Sequence, residues 1–281
     1  MRVLVLATGV ADLSPAAAGA EVGAAWARLG HQVAVVPMAA GGPDLAAAVA
    51  DLPHVAVVAA GEGTSDRAGA EIAAALACGA TTVLLDLTGP CPADAGEGLL
   101  TALGRPELTI VGVVRPEELE APLLGVRGVA ARRAYGSGAP DVGAALAGDA
   151  ALTRLATSLG VTEPPPGAGA GDGTGLAVAA LGGTFRTGPA AIAELVGLDR
   201  SLTAADLVVV VTDALDFGGA GVTETQAAAT WAAEALVPCV AIAGTVHFSS
   251  RELRTFGVES AYSSDGDLAS CADRVARTWN W

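Results

Sequence analysis

The 281-residue chain carries 30 acidic against 15 basic residues, a net charge of −15, and is 52% hydrophobic with a mean hydropathy of +0.52. Such a charge repels a phosphate backbone and excludes the basic footprint on which nucleic-acid binding depends. The hydrophobicity comes from Ala and Val scattered between Gly and charged residues, with none of the roughly 18-residue uninterrupted apolar windows of a bilayer span, so a soluble, cytoplasmic protein without a membrane partner is expected.

The first apolar run, residues 3–7, is short, and Gly9 to Pro15 leads straight into a helical pattern, so it reads as a buried strand and not a signal peptide. Further runs at 32–37, 55–60, 82–87, 108–114, 207–212, 239–244 and 258–262 are continuously apolar, as strands covered on both faces are. Helical spacing fills 15–29, 44–51, 65–78, 92–103, 149–159, 223–236 and 267–278. Ser14-Pro15 and Ser65-Asp66 supply helix starts. Strand and helix alternate, which predicts an α/β class with mainly parallel sheets. The rhythm breaks at Glu163-Pro164-Pro165-Pro166 and the Gly-rich run 167–175, a linker, a ligand loop, or both. Cuts near Ala60 and Leu198 predict one discontinuous α/β domain, 1–60 with 199–281, and an inserted α/β domain, 61–198.

Cys78, Cys91, Cys239 and Cys271 lie far apart, and with only three histidines neither a zinc site nor a disulfide framework is indicated. All 15 basic residues are arginines, so any mechanism needing a lysine is excluded. Residues 167–175 are either a phosphate cradle at the start of a 176–181 helix or a turn; they lack the G-K-[ST] of a P-loop. His247 follows a late strand and reads as a surface or capping group before a general base. Arg127, Arg132 and Arg133 form the local basic cluster, either solvated or forked onto phosphate.

Several blocks occur in a shared order with a known family. Pro37-Met38-Ala39-Ala40-Gly41-Gly42 is similar to P-M-A-D-G-G, and Thr64-Ser65 with Gly69 to T-S-x-x-x-G. Pro122-Leu123-Leu124-Gly125 is similar to N-P-L-L-G, Pro166 to Gly175 to P-G-A-G-A-A-G-G-L-G, and Val237 to Gly244 to V-P-V-x-A-L-A-G. On these the chain resembles the type I glycerate kinase family. The resemblance implies two α/β/α domains, one flavodoxin/Rossmann-like and one inserted, with the active site in the cleft between them. It also implies ATP and magnesium as cofactors and glycerate as the small-molecule substrate. Carried over position by position, Asp94 and Asp216 become the catalytic and metal-holding carboxylates, and Gly41, Gly42, Gly171, Asp172, Gly173 and Arg127 the cofactor-binding group.

The departures fall on charge. Asp12 stands where the family's D-S-F-K-G-S loop has its lysine, and Ala40-Gly41-Gly42-Pro43-Asp44 loses the first acid of D-G-G-E-G and displaces the second. Thr212-Asp213-Ala214-Leu215-Asp216 lacks the Glu and Arg of E-G-R-L-D, the following G-K pair falls near Val222-Thr223, and Ala134 to Ala139 lacks the lysine of G-P-Q-K-G-A. Losing one well-placed donor to a moving phosphoryl group commonly costs about 100- to 1000-fold in rate. Two readings follow: a divergent kinase in which arginines replace lysines, or a non-catalytic pseudoenzyme acting as a binding or scaffold protein with a protein partner. The residue changes favour the second, with negative potential around Gly9, 40–42, Asp94, 171–173 and Asp216.

Overall fold

The computed structural model describes residues 1–104, 106–136, 141–216 and 221–281; Ser137, Gly138 and Ala139 of the last-named block lie outside them. In chain order the elements are β1 (Arg2–Ala7), α1 (Pro15–Arg28), β2 (Gln32–Pro37), α2 (Pro43–Ala48), β3 (Val55–Ala59), α3 (Asp66–Ala77), β4 (Thr82–Asp86) and α4 (Glu97–Leu103). Then come β5 (Thr109–Val113), α5 (Val129–Gly136), α6 (Val142–Ser158), α7 (Gly175–Ala180), β6 (Thr184–Arg186), α8 (Gly188–Val196) and α9 (Leu198–Ala204). The chain continues through β7 (Leu207–Leu215), α10 (Gly221–Glu234), β8 (Cys239–Val246), α11 (Ser250–Thr255), β9 (Ser260–Ser263) and α12 (Leu268–Thr278). The class is α/β: two sheets, ordered β2-β1-β7-β8-β9 and β3-β4-β5-β6, with every neighbouring pair parallel.

The chain divides into two compact units, 1–51 with 188–281 and 52–187. The first sheet therefore takes strands from both ends of the chain. The divisions fall at 51/52 and 187/188, where the cuts expected from the sequence are near 60 and 198; Val55–Ala59 pairs along its length with Thr82–Asp86 and so belongs to the second sheet. In the first unit Trp26, Val5, Val209, Val240, Ile242 and Val275 are wholly buried between the sheet and its helices. The second unit closes on Ile72, Leu85, Leu99 and Val178, with a smaller cluster around Leu123, Val129 and Leu176.

Several elements escape the periodicity. Strand β6 has three residues and follows Gly182-Gly183, which reads as a turn; a Cβ on Gly183 would lie 2.6 Å from the Ile110 carbonyl oxygen, so the glycine is what lets this short strand approach β5. Helix α4 starts at Glu97 and not at residue 92, since Ala95 and Gly96 turn into positive φ ahead of it. Among the described residues no helix is long and apolar enough to cross a membrane.

Candidate functional site

In the first unit the strand order reverses between β1 and β7, where doubly wound sheets open a crevice outside their carboxyl ends. A crevice of about 490 Å³ lies there, walled by Val10 to Leu13 after β1, Asp213 of β7, Gly244 and Thr245 of β8, and the turn from Ser264 to Leu268 after β9. Its charged lining is Asp12, Glu21, Asp213 and Asp267, with no arginine. The β1–α1 loop is closed on itself: Val10 and Leu13 exchange backbone hydrogen bonds, Thr8 N–H donates to the Val211 carbonyl, and Ala11 N–H donates to Asp213 Oδ1 at 2.9 Å. A loop whose amides are so engaged, beside four carboxylates, attracts a cation or a hydroxyl donor and repels phosphate.

Gly41, Gly42 and Asp216 also belong to this unit. Gly42, at φ +68°, turns the chain into α2, and Asp216 is half-buried just beyond β7. Next to the glycines lies a group that the sequence reading passed over. Glu224, in the first turn of α10, is 4% exposed, and one of its carboxyl oxygens, Oε2, has no hydrogen-bond partner. Burial pushes its carboxyl up to about 7, against the backbone N–H groups of Glu224 and Ala40 and with help from the Asp44 charge. An acid near a helix start reads in a sequence as a dipole partner, and nothing in Thr223-Glu224-Thr225 signals its burial.

Asp94, Arg127 and residues 171–173 belong to the second unit. Asp94 accepts from Ser65 N–H at 3.0 Å, Ser65 Oγ at 2.9 Å, Gly96 N–H at 3.1 Å and Gly98 N–H at 3.3 Å. Burial alone would raise its carboxyl, but the bonds from Ser65, Gly96 and Gly98 outweigh that and hold it below the ordinary value. Ser65 Oγ in turn accepts from Leu99 N–H at 2.7 Å, so Asp94 and Ser65 lock the start of α3 to the start of α4.

In the glycine-rich run, the amides of Gly167 and Gly169 donate to the Ala121 carbonyl, those of Ala168, Ala170, Gly173, Thr174 and Gly175 to carbonyls within residues 165–171, and that of Gly171 to Glu118 Oε1. Asp172, at φ +53°, pairs with Arg133, whose guanidinium also reaches the carbonyls of Ala93 and Asp172. Arg132 donates to the carbonyls of Arg127 and Gly169, leaving exposed Arg127 as the remaining member of the basic cluster. Cys91 beside this run is pushed up to about 12 by burial and then by Glu118, Asp86 and Asp172, which keeps it an unreactive thiol. A separate hollow of about 560 Å³ between α5, α6 and the loop before α4 is lined by alanines and leucines together with Asp94, Glu97, Arg133 and Asp141. His247 is exposed after β8, and its backbone N–H donates to Leu215.

The sequence profile of the glycerate kinase family matches residues 105–280. The chain belongs to the glycerate kinase family. An uncharacterized protein of Mycobacterium bovis and another of Mycobacterium tuberculosis are each 33% identical over 214 residues, 71% of this chain and 55% of theirs. The chain thus spans about half the length of the curated relatives it matches. A crystal structure provisionally assigned as glycerate kinase 2 of Salmonella typhimurium LT2 superposes with a TM-score of 0.77 over 99% of this chain and 98% of its own, at 19% identity, a likeness of fold. The glycerate kinase profile begins at residue 105. The crevice loop with Asp12, the Gly41-Gly42 turn and Asp94 all precede it.

Proposed function

We infer that this glycerate kinase family member holds a small neutral or cationic molecule in the crevice between β1 and β7 and does not transfer phosphate from ATP to glycerate. The observation that carries the reading is the charge of that crevice, four carboxylates and no cation, in a chain without a single lysine. Glycerate and a nucleoside triphosphate are anions, and phosphoryl transfer depends on cations placed around the moving group.

Among the described residues no group of three or more His, Cys, Asp or Glu side chains is placed to hold a metal ion, so a magnesium ion there would draw most of its ligands from water and from the nucleotide's own phosphates. Of the local basic cluster, Arg132 and Arg133 are tied to backbone carbonyls and Asp172, which leaves exposed Arg127 as its one candidate to replace a lysine. Asp94 is engaged as a structural acceptor, and the glycine-rich run is a packing element. A protein partner in place of a small molecule is the second reading, and the four-carboxylate crevice asks that partner for a basic residue.

A coupled assay of ADP release with glycerate, ATP and magnesium tests the inference. Turnover at least about a thousandfold below the ordinary enzyme median of about 10 per second is expected. Turnover near that median contradicts it.

A further inference from the structure

We propose that the crevice between β1 and β7 is a site for an aliphatic polyammonium ion, a linear di- or polyamine whose charges meet its carboxylates one by one. The proposal rests on the reading of that crevice as a holder of a neutral or cationic molecule and names the class. The carboxylates come from four separate elements: Asp12 from the loop after β1, Glu21 from α1, Asp213 from β7 and Asp267 from the N-cap of α12. Among the described residues no three such groups converge as a metal ion requires. A point cation therefore meets only part of this charge. A chain carrying ammonium groups at intervals meets it along the wall.

A hydroxyl in the same wall points to the same ligand. Ser264, in the turn after β9, is 7% exposed, and its backbone N–H is fixed to the Ala243 carbonyl. Its hydroxyl has no hydrogen-bond partner among the described residues and is not sealed in the core, so its open side faces the crevice that Ser264 lines. A nearly buried hydroxyl is costly to leave unpaired, and an ammonium supplies the donor it lacks. Asp213 is placed likewise: Oδ1 accepts from Ala11 N–H, while Oδ2 has no partner among the described residues.

Between these polar points Val10, Leu13 and Leu268 line the crevice. Methylene segments pack on such side chains, as the stem of a lysine does. A sugar has no such segments, and the carboxylate of an amino acid is repelled by the four acids. Arg274 of α12 does not compete, since it donates to the Ser263 carbonyl and the Cys271 sulfur and takes no part in the wall. At about 490 Å³ the crevice falls within the ordinary range for small ligands.

Calorimetric titration of the full chain with spermidine tests the proposal, at about 0.15 M ionic strength, where diffuse attraction to an acidic protein is screened. Saturable binding is expected, at least about tenfold tighter than for butylamine, which offers one ammonium. Asp213→Asn and Ser264→Ala are each expected to weaken spermidine about tenfold. Glu163→Gln, which removes an exposed acid of the 52–187 unit, is expected to leave it unchanged. Asp12→Asn lies on an exposed side chain and should weaken binding about threefold, so this arm stands even where the other two crevice variants fail to fold. The proposal is overturned by an absence of saturable binding, by equal weakening in Glu163→Gln, or by displacement of spermidine by an equal concentration of magnesium. Butylamine binding as tightly as spermidine overturns it too and leaves the underlying reading standing, whereas glycerate-dependent ADP release removes that reading itself.

Discussion

Gly169→Ala is expected to destabilise the 52–187 unit by about 3 kcal/mol, the upper end of what overpacking costs. A Cβ at this position would lie 2.1 Å from the Pro122 carbonyl oxygen and 2.5 Å from its carbon, with the Ala121 oxygen at 3.0 Å. All three are backbone atoms, so no side-chain rotation relieves the clash. The same approach is held by two hydrogen bonds, Gly167 N–H and Gly169 N–H to the Ala121 carbonyl, at 3.2 and 3.0 Å. Relief by separation therefore breaks them. Gly89→Ala is the control, since nothing lies within 4 Å of its added Cβ and its φ is not positive. Urea unfolding of the two variants measures the difference. A neutral Gly169→Ala would show that the glycine-rich run is not packed as described and would return it to the candidates for a phosphate loop.

Asp94→Ala is expected to cost about 3 kcal/mol as well, because it strands the donors of Ser65, Gly96 and Gly98 that an ionised acceptor now satisfies. Ser65 is wholly buried, so its amide and hydroxyl cannot turn to water. The pH dependence has a definite sign. The folded carboxyl is held below its ordinary value, so its contribution is present above that value and lost as pH falls through the folded value. Asp94→Asn should remove that part of the acid sensitivity while keeping one oxygen to accept. Guanidinium unfolding between neutral pH and pH 3 separates the variants; a stability of Asp94→Ala equal to wild type would contradict the structural role and favour a functional one.

Much of the framework was legible in the chain. Continuous Val, Leu and Ile runs read as strands covered on both faces, and eight of them became β1 to β5 and β7 to β9, although β2, β3 and β9 are only partly covered. Strand β6 stayed hidden because three residues carry no period and its glycines read as a turn. The short helices α5, α8, α9 and α11 span two or three turns at most, too little for a 3.6-residue pattern to declare itself.

The candidate site was less legible, since side-chain roles are set by partners distant in sequence. Asp94 could be found from the chain, but its four donors on Ser65, Gly96 and Gly98 could not. Arg133 read as a free cation until Asp172, 39 residues away, met it. Glu224 had no signature at all, because an acid in a helix's first turn is ordinary and nothing beside it in the chain marks it for burial. Absence of lysine and the acid at residue 12 were visible from the start, and they bear most heavily on function.

Calorimetric titration with magnesium and ATP, at neutral pH and low ionic strength where charge effects are greatest, tests the central claim most directly. The account predicts no saturable heat up to about 1 mM nucleotide, the upper range of ordinary substrate affinities. Saturable binding in the micromolar range would contradict it, for it would mean that cations outside the acidic crevice hold the triphosphate in spite of the missing lysines.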